Sequence, residues 1–217
     1  MKDFLPELMR GGVITLQVTA GGAVVAVIAA LVPGLLRLYG PLPLRWLATA
    51  YVELFRGTSA LVQLFWLFFV LPHFGLTLEP MAVGIAALGL NVGAYGAEVV
   101  RGAIGSVARG QWEAARALNL THAQTLRRIV LPQAFVAMIP PWGNLFIELL
   151  KATSLVSLIT LSDLAFKAQQ LNQNTLRTAE VFGTVLVMYL GLSVLITIAM
   201  RALEARASRG LRRGRVS

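Results

Sequence analysis

The sequence contains no cysteine and few charged residues. Of its 217 residues, 13% are charged and 57% are hydrophobic. The missing cysteine excludes disulfides, thiolate metal sites and cysteine nucleophiles. A mean hydropathy of +0.72 lies outside the range of an ordinary soluble domain. The composition therefore indicates an integral membrane protein.

The sequence also lacks a nucleotide-binding loop. Its only lysines are Lys2, Lys151 and Lys167, and none lies in a glycine-rich G-x-x-x-x-G-K-[ST] setting. It shows no paired carboxylates in a cleft and no Ser/His/Asp arrangement. We therefore expect no ATP hydrolysis by this chain alone, no enzyme activity and no cofactor.

Long apolar runs are what the chain has instead. A membrane-spanning helix needs about 20 mainly apolar residues, because the hydrocarbon core is about 30 Å thick. The stretch between Arg128 and Asp163 is the difficult one, since it could hold one helix with a re-entrant piece or two short helices. With one span there, the chain is predicted to be an all-α membrane protein, a single transmembrane domain over 1–217. Its five spans lie at 12–36, 57–78, 81–100, 134–152 and 181–200.

The distribution of basic residues predicts the orientation. Cytoplasmic loops are enriched in Lys and Arg. With five spans, one side receives 37–56, 101–128 and the tail 201–217, which hold three, five and six basic residues, whereas the other side holds four. Six spans would place the arginine-rich tail outside. We therefore predict the N-terminus outside and the C-terminus in the cytoplasm. This bias explains the net charge of +9 without a nucleic-acid partner.

A polar segment, 112–132, interrupts the apolar chain on the cytoplasmic side. Residues 112–118 favour a helix, and Asn119 can adopt the left-handed conformation that ends one. Thr121 can cap a second helix over 122–131, and Pro132 marks the start of span four. Two readings stay open here: a compact projection that docks a partner, or a helix lying on the bilayer surface.

The sequence of this segment resembles a motif of a known protein family. "EAARALN" followed by "IVLP" is similar to the EAA loop of binding-protein-dependent ABC importer permeases, whose pattern is E-A-A, three residues, G, nine residues and I-x-L-P. Asn119 stands at the glycine position. Stretches 53–69, 93–118 and 140–164 resemble the polar amino-acid branch of the family. The residues in register are Glu113, Ala114, Ala115, Ile129, Leu131 and Pro132.

The resemblance implies a fold, a location and partners. The fold would be that of a type I, MetI-like ABC importer permease in the bacterial cytoplasmic (inner) membrane. The partners would be an ATP-binding cassette ATPase dimer, a second permease chain (itself or a paralogue), an extracytoplasmic solute-binding protein and the lipid bilayer. The EAA loop would sit in a groove of the ATPase and drive alternating access.

Two charges inside the fourth span suggest a transport path. A charge near the centre of a span costs about 2.5–3.5 kcal/mol on insertion scales, so Glu148 and Lys151 should face a cavity or a partner. Their spacing of three also allows them to neutralise each other, which would be a packing role. The candidate path residues are Asn144, Glu148, Lys151, Thr153 and Ser154.

The same stretch gives a hypothesis about the solute. Related permeases often have "GNEFIALLKDTSL", whereas this chain has "GNLFIELLKATSL". Leu145 stands where the family has a glutamate, and the acidic residue is Glu148 instead. Ala152 replaces an aspartate. Fewer acids suit a solute with shielded positive charge. The stretch "FRGTSALVQLFWLFFVLP" also resembles the sequences of permeases for ectoine or hydroxyectoine, and these solutes are our specific hypothesis.

The remaining polar residues have structural interpretations. Glu98 and Arg101 are predicted to form a structural ion pair. His73 and His122 fall on opposite sides of the membrane, so no metal site is expected.

Two other functions remain as alternatives: an ion-coupled secondary transporter, which would need coupling acids and usually internal repeats, and a non-transporting membrane scaffold.

Overall fold

A computed structural model describes residues 4–212, with side chains described to residue 209. Over this range the chain forms helices and short connections, without a strand. The first and last residues of the sequence, including Lys2 and the end of the predicted tail at 213–217, lie outside the described residues. The helices are α1 Leu5–Tyr39, α2 Leu42–Gly57, α3 Ala60–Phe65, α4 Pro80–Gly105, α5 Arg109–Ala117, α6 His122–Thr125, α7 Leu131–Ala152, α8 Leu164–Thr175 and α9 Thr178–Arg212.

Three of these helices are lengthened by tighter or wider turns. The π-helical turn Trp66–Val70 and the 3-10 turn Leu71–Phe74 extend α3. The π-helical turn Leu126–Val130 joins α6 to α7, and the 3-10 helix Thr153–Ile159 extends α7. His122–Ile159 is consequently one continuous helical element of 38 residues.

Four helical elements are long and apolar enough to cross a membrane, namely α1, α4, His122–Ile159 and α9. A fifth crossing requires α2 and Ala60–Phe74 to act together, and these are bent by 107° at their junction. Counted that way, the number of spans is the predicted five. We call the end with Tyr39, Gly105 and Leu131 the cytoplasmic end, following the charge-based prediction.

The structure differs from the prediction around the second span. The predicted span 57–78 begins at a break, because Thr58 and Ser59 are extended. The region 37–56, predicted as a loop, contains α2, which buries Ala48 and Val52. α2 is amphipathic, so its arginines and glutamate made it resemble a polar loop although it has a helical apolar face.

Other predicted boundaries also moved. The outer loop predicted over 163–180 contains α8, whose N-terminus is capped by the Asp163 carboxylate. The helix predicted to end at Leu131 continues into α7 without a break. The start of the predicted tail, 201–212, is the last part of α9.

The core is built on close packing of α1 against α4. A Cβ atom added at Gly89 would lie 2.7 Å from the Val25 Cβ, and one added at Gly93 would lie 2.7 Å from the Ala29 Cβ. Glycine is therefore required where these two helices approach. α7 packs against α4 on another side, with the Trp142 ring against Gly96. This places α7 beside the central pair and leaves one of its faces uncovered.

An ionic cluster ties three helices at the cytoplasmic end. The Glu98 carboxylate accepts hydrogen bonds from Arg37 of α1 and from Arg101, the latter at 2.8 Å. Arg56 of α2 lies 3.6 Å from the same carboxylate. The predicted Glu98–Arg101 pair is present, and the structure adds two arginines from other helices.

Candidate functional site

The segment 109–132, which we call the coupling segment, lies at the cytoplasmic end. α5 ends at Ala117, and Asn119 has a φ of 54°, the predicted left-handed conformation. Thr121 then caps α6 through a reciprocal capping box with Gln124: the Gln124 N–H donates to the Thr121 hydroxyl, and the Thr121 N–H donates to the Gln124 side chain. Such a box satisfies two donors at the helix start and fixes the bend.

The exposure of the EAA residues is uneven. Glu113, Ala114 and Asn119 lie on the surface, whereas Ala115 is fully buried. The small side chain of Ala115 therefore serves packing within the chain, and Ala114 is the alanine exposed at the surface. Leu118, which the motif did not single out, is 73% exposed. Leu118 is thus an exposed apolar side chain between Glu113 and Asn119. We call the exposed residues Glu113, Ala114 and Leu118 the tip of the segment.

An aromatic cluster anchors the coupling segment to α1. The His122 ring stacks on the Trp112 ring with centroids 5.6 Å apart, and it meets the Tyr39 ring edge-on at 5.5 Å. Tyr39 is the last residue of α1, so the cluster joins both arms of the segment to a spanning helix. Sequence reasoning missed it because Tyr39 is far away along the chain.

The I-x-L-P part of the motif lies where the coupling segment becomes α7. Ile129 and Leu131 are partly buried, and Pro132 is exposed near the start of α7. The Leu131 N–H donates to the Leu126 carbonyl, five residues back. Pro132 has no N–H to donate, and its ring would crowd the carbonyl four residues earlier. A wider π turn directly before the proline accommodates it while the helix continues.

The uncovered face of α7 carries three predicted path residues. Asn144, Glu148 and Lys151 are exposed and follow one another at helical spacing, so they share one face. Leu149, beside Glu148, packs against Gly22 near the middle of α1, which puts Glu148 at about mid-depth. Among residues 4–209, no ion pair joins Glu148 to Lys151. We call this row the path face.

The other two candidate path residues lie differently. Ser154 is half-buried, and its hydroxyl donates to the Lys151 carbonyl at 2.9 Å. Thr153 is fully buried, and its hydroxyl donates to the Leu150 carbonyl at 2.7 Å. The structure therefore brings Asn144, Glu148 and Lys151 together and directs Thr153 into the protein interior.

The Tyr189 hydroxyl lies within reach of Thr15 and Thr153, in a buried polar cluster that sequence reasoning missed. The Leu164 N–H donates to the Thr15 hydroxyl at 3.1 Å, and the Phe166 N–H donates to Asp163 Oδ1 at 2.9 Å. Asp163 Oδ2 is buried without a hydrogen-bond partner among the described residues. Burial raises the pKa of the Asp163 carboxyl from 3.8 to about 6, although the Phe166 N–H partly opposes this. An aspartate directly before a helix-forming stretch is an N-cap signal that could have revealed this position.

Comparison with known proteins identifies this arrangement. The family model for the inner membrane component of binding-protein-dependent transport systems matches residues 22–209. The chain belongs to this family. The matched range includes the whole coupling segment and the path face, so both are parts of a binding-protein-dependent permease.

Relatives narrow the class of solute. A probable amino-acid ABC transporter permease of Sinorhizobium fredii, y4tF, is 45% identical over 95% of this chain and 90% of its own length. The L-cystine transport permease TcyB of Bacillus subtilis is 39% identical over 96% and 89%. The glutamine transport permease GlnP of Escherichia coli K12 is 32% identical over 93% of both chains.

Solved structures agree on the fold. The crystal structure of an amino acid ABC transporter with histidines matches with a TM-score of 0.88 and 32% identity, covering 95% of this chain and 96% of the other. An inward-facing MetNI methionine ABC transporter matches with a TM-score of 0.81 at 21% identity, covering 95% and 99%. The MetI-like permease fold predicted from the sequence is confirmed.

The coarse function follows from this membership. The chain is the permease subunit of an amino-acid ABC importer in the inner membrane, working with a binding protein and a second permease subunit. It is not an enzyme, because ATP hydrolysis belongs to a separate subunit. Membership in this family displaces the secondary-transporter and scaffold alternatives.

Proposed function

We propose that the permease moves one zwitterionic solute along the path face of α7, between this chain and a second permease chain. The observation that carries this is the pair of opposite charges, Glu148 and Lys151, exposed on an apolar spanning helix and not paired with each other among the described residues. Charges at this depth are costly unless they face a cavity or a partner. A zwitterion supplies a cationic N–H group for Glu148 and a carboxylate for Lys151.

In this proposal the coupling segment transmits the movement of the ATPase subunits to the spanning helices. ATP binding would close the two ATPase subunits and displace the exposed tip formed by Glu113, Ala114 and Leu118. Because His122–Ile159 is one continuous helical element, a movement of its cytoplasmic end would be carried along it to the path face. The Thr121–Gln124 capping box and the aromatic cluster make the tip a rigid lever. ATP hydrolysis would return the path to the inward-open state.

The identity of the solute is the finer part of the proposal. Glu148 is the acid exposed on the α7 path face, and Leu145 is buried, so a single acid is offered to the solute there. One acid suits a small solute with a single, shielded positive charge, and ectoine or hydroxyectoine remains our specific candidate. The relatives' names support amino acids, with L-cystine and glutamine as the competing candidates.

The test is uptake by the complex in proteoliposomes, with ATP inside and the binding protein outside. The panel is ectoine, L-glutamine, L-cystine and L-arginine, each offered alone and in competition. We expect Glu148→Gln to reduce uptake of the transported solute by at least tenfold, because the charge-assisted hydrogen bond from the solute to the Glu148 carboxylate is lost. Glu79→Gln, an exposed acid before α4, is the matched control and should leave uptake unchanged. Full activity of Glu148→Gln would contradict the assignment of the path.

Coupling is tested in the same vesicles. In wild type, the loaded binding protein should stimulate ATP hydrolysis. Glu113→Lys reverses the charge of the exposed tip and should abolish this stimulation or weaken assembly with the ATPase. Turnover that is indifferent to Glu113 would mean that the segment does not dock the ATPase.

A further inference from the structure

A polar cleft lies between α7 and α9 on the cytoplasmic side of Glu148. It has a volume of about 210 Å³. Its apolar wall includes Ile147 and Met200. Its polar lining is formed by Asn144, Thr197, Arg201 and Glu204. Pockets for drug-sized ligands have volumes of about 300–1,000 Å³, so this cleft suits only a small solute.

The cleft presents one charge of each sign. Arg201 and Glu204 are three residues apart on α9 and line the same cleft. Such a spacing allows an ion pair, yet among residues 4–209 no ion pair includes either side chain. A guanidinium offers a planar fork that suits a carboxylate, and a carboxylate accepts hydrogen bonds from an ammonium group.

The neutral polar groups extend this set of partners. The Thr197 hydroxyl donates to the Ser193 carbonyl at 2.9 Å, which leaves its oxygen available as an acceptor. The Asn144 side chain is exposed and supplies both a donor and an acceptor. An α-amino acid backbone could therefore find partners for both its charged ends in one place.

The cleft is continuous with the path face. Asn144 belongs to both, and Glu148 lies one helical turn away, about 6 Å along α7. α9 runs toward the cytoplasmic end, so Arg201 and Glu204 lie beyond Glu148 in the direction of import. A solute leaving Glu148 toward the cytoplasm would meet this cleft next.

We propose that the α7–α9 cleft is an exit site that binds the charged groups of the imported zwitterionic solute, its carboxylate on Arg201 and its cationic N–H group on Glu204, before release. The inference rests on the proposed path along α7. Its physical role is to replace the contacts that the solute loses on leaving Glu148, so that release does not pass through an apolar gap. It also explains why two opposite charges on α9 face a cleft and not each other.

The test uses the complete complex with Arg201→Lys and Glu204→Gln. Lysine keeps the charge that orients the helix but loses the planar fork. We expect the maximum uptake rate to fall about tenfold in each variant, the effect of one lost charge-assisted hydrogen bond. The external KM should not change, because the binding protein captures the solute before it reaches this site. Arg206→Lys, on the same helix but outside the cleft lining, is the control and should behave like wild type.

A binding measurement separates solute contact from a structural role. The nucleotide-free complex without binding protein is dialysed against the radiolabelled panel solute that wild type transports. In a Glu148→Gln background, which removes the proposed site on the path face, we expect binding to be retained in Arg206→Lys and lost in Glu204→Gln. Assembly with the ATPase, checked by size-exclusion chromatography, should be normal in all variants. If assembly fails in a single variant, the charge-swapped double variant Arg201→Glu, Glu204→Arg decides, because a purely structural ion pair would be restored by the swap and an exit site would not.

The two hypotheses fail in different ways. If wild type transports no solute of the panel, or if Glu148→Gln is fully active, the proposed path is wrong. If Glu148→Gln loses uptake while Arg201→Lys and Glu204→Gln match the control in both rate and binding, the path stands and the exit site is overturned. Full rescue by the charge swap would also overturn it.

Discussion

At the scale of single residues, the coupling segment takes its bend from neighbouring residues and its exposed surface from packing. The left-handed Asn119 follows the end of α5 and Thr121 caps α6, and both features depend on residues next to them in the chain. Glu113, Ala114 and Ala115 are consecutive, so about 100° of helix rotation separates each from the next and they cannot all face a partner. Which one turns inward depends on packing against the rest of the protein, and it is Ala115 that is buried.

The exposed Leu118 gives the first prediction. We expect Leu118→Asp to abolish stimulated ATP hydrolysis, because it places a charge where an apolar knob would be buried by the ATPase. Losing the burial of one leucine alone costs about 1.5–3 kcal/mol, a tenfold or greater loss of affinity. The measurement is ATPase pull-down together with solute-stimulated hydrolysis. Leu76→Asp, at an exposed leucine on the outer side, is the control; equal effects in both variants would point to general misfolding.

Asp163 gives a prediction about pH. Its folded-state pKa is raised to about 6 from 3.8, so between these values the folded protein binds a proton that the unfolded chain does not. Stability from this group is therefore greatest below about pH 4 and falls as pH rises toward 6, by up to about 3 kcal/mol. Asp163→Asn keeps the cap but removes the titration.

The check is the thermal unfolding midpoint of the detergent-solubilised protein across that pH range. Relative to Asp163→Asn, wild type should lose stability between about pH 4 and 6 and stay lower at neutral pH. Glu79→Gln, an exposed acid, should run parallel to wild type. Parallel curves for wild type and Asp163→Asn would show that the buried carboxyl does not titrate in this range.

At the scale of helices, hydropathy located the spans but not their ends. It finds apolar length, so it missed α2, whose helical pattern is amphipathic, and α8, whose mean composition is polar. It also placed a boundary at Pro132, whereas the π turn before that proline lets the helix continue. These errors share a cause: the helical hydrogen-bond ladder continues where packing supports it, regardless of local hydropathy.

The α1–α4 contact makes a prediction at this scale. We expect Gly93→Ala to destabilise the protein by about 1–3 kcal/mol, because the added Cβ would overlap the Ala29 Cβ and separate two packed helices. Gly102→Ala, in the same helix with open space around the added atom, should be neutral or slightly stabilising. Unfolding midpoints and yields in detergent give the comparison. A Gly93→Ala protein as stable as the Gly102→Ala protein would contradict the close approach.

At the scale of the whole molecule, the uncovered surface supports the proposal that one chain presents half of a transport path. The path face of α7 is uncovered. In the apolar stretch of α9 that could cross the membrane, only 11% of the residues are buried. Lipid can cover the apolar surface of α9, but exposed Glu148 and Lys151 require a polar partner.

The fold class and the coarse function could be predicted from the sequence because long apolar runs and the EAA register are local patterns. The exit cleft could not, since Asn144 and Glu204 meet only through packing of α7 on α9.

The orientation of the whole chain is a prediction that its composition makes easy to test. Because the sequence has no cysteine, a single introduced cysteine reports its own side of the membrane without background. Gln173 is exposed on α8, and Gly110 is exposed on the coupling segment with open space around an added Cβ. The two reporter variants are therefore Gln173→Cys and Gly110→Cys. The excess of basic residues around Gly110 predicts that this side faces the cytoplasm. With a membrane-impermeant maleimide, Gln173→Cys should be labelled in intact spheroplasts and Gly110→Cys only after permeabilisation. The reverse pattern would invert the topology and place the coupling segment where no ATPase can reach it.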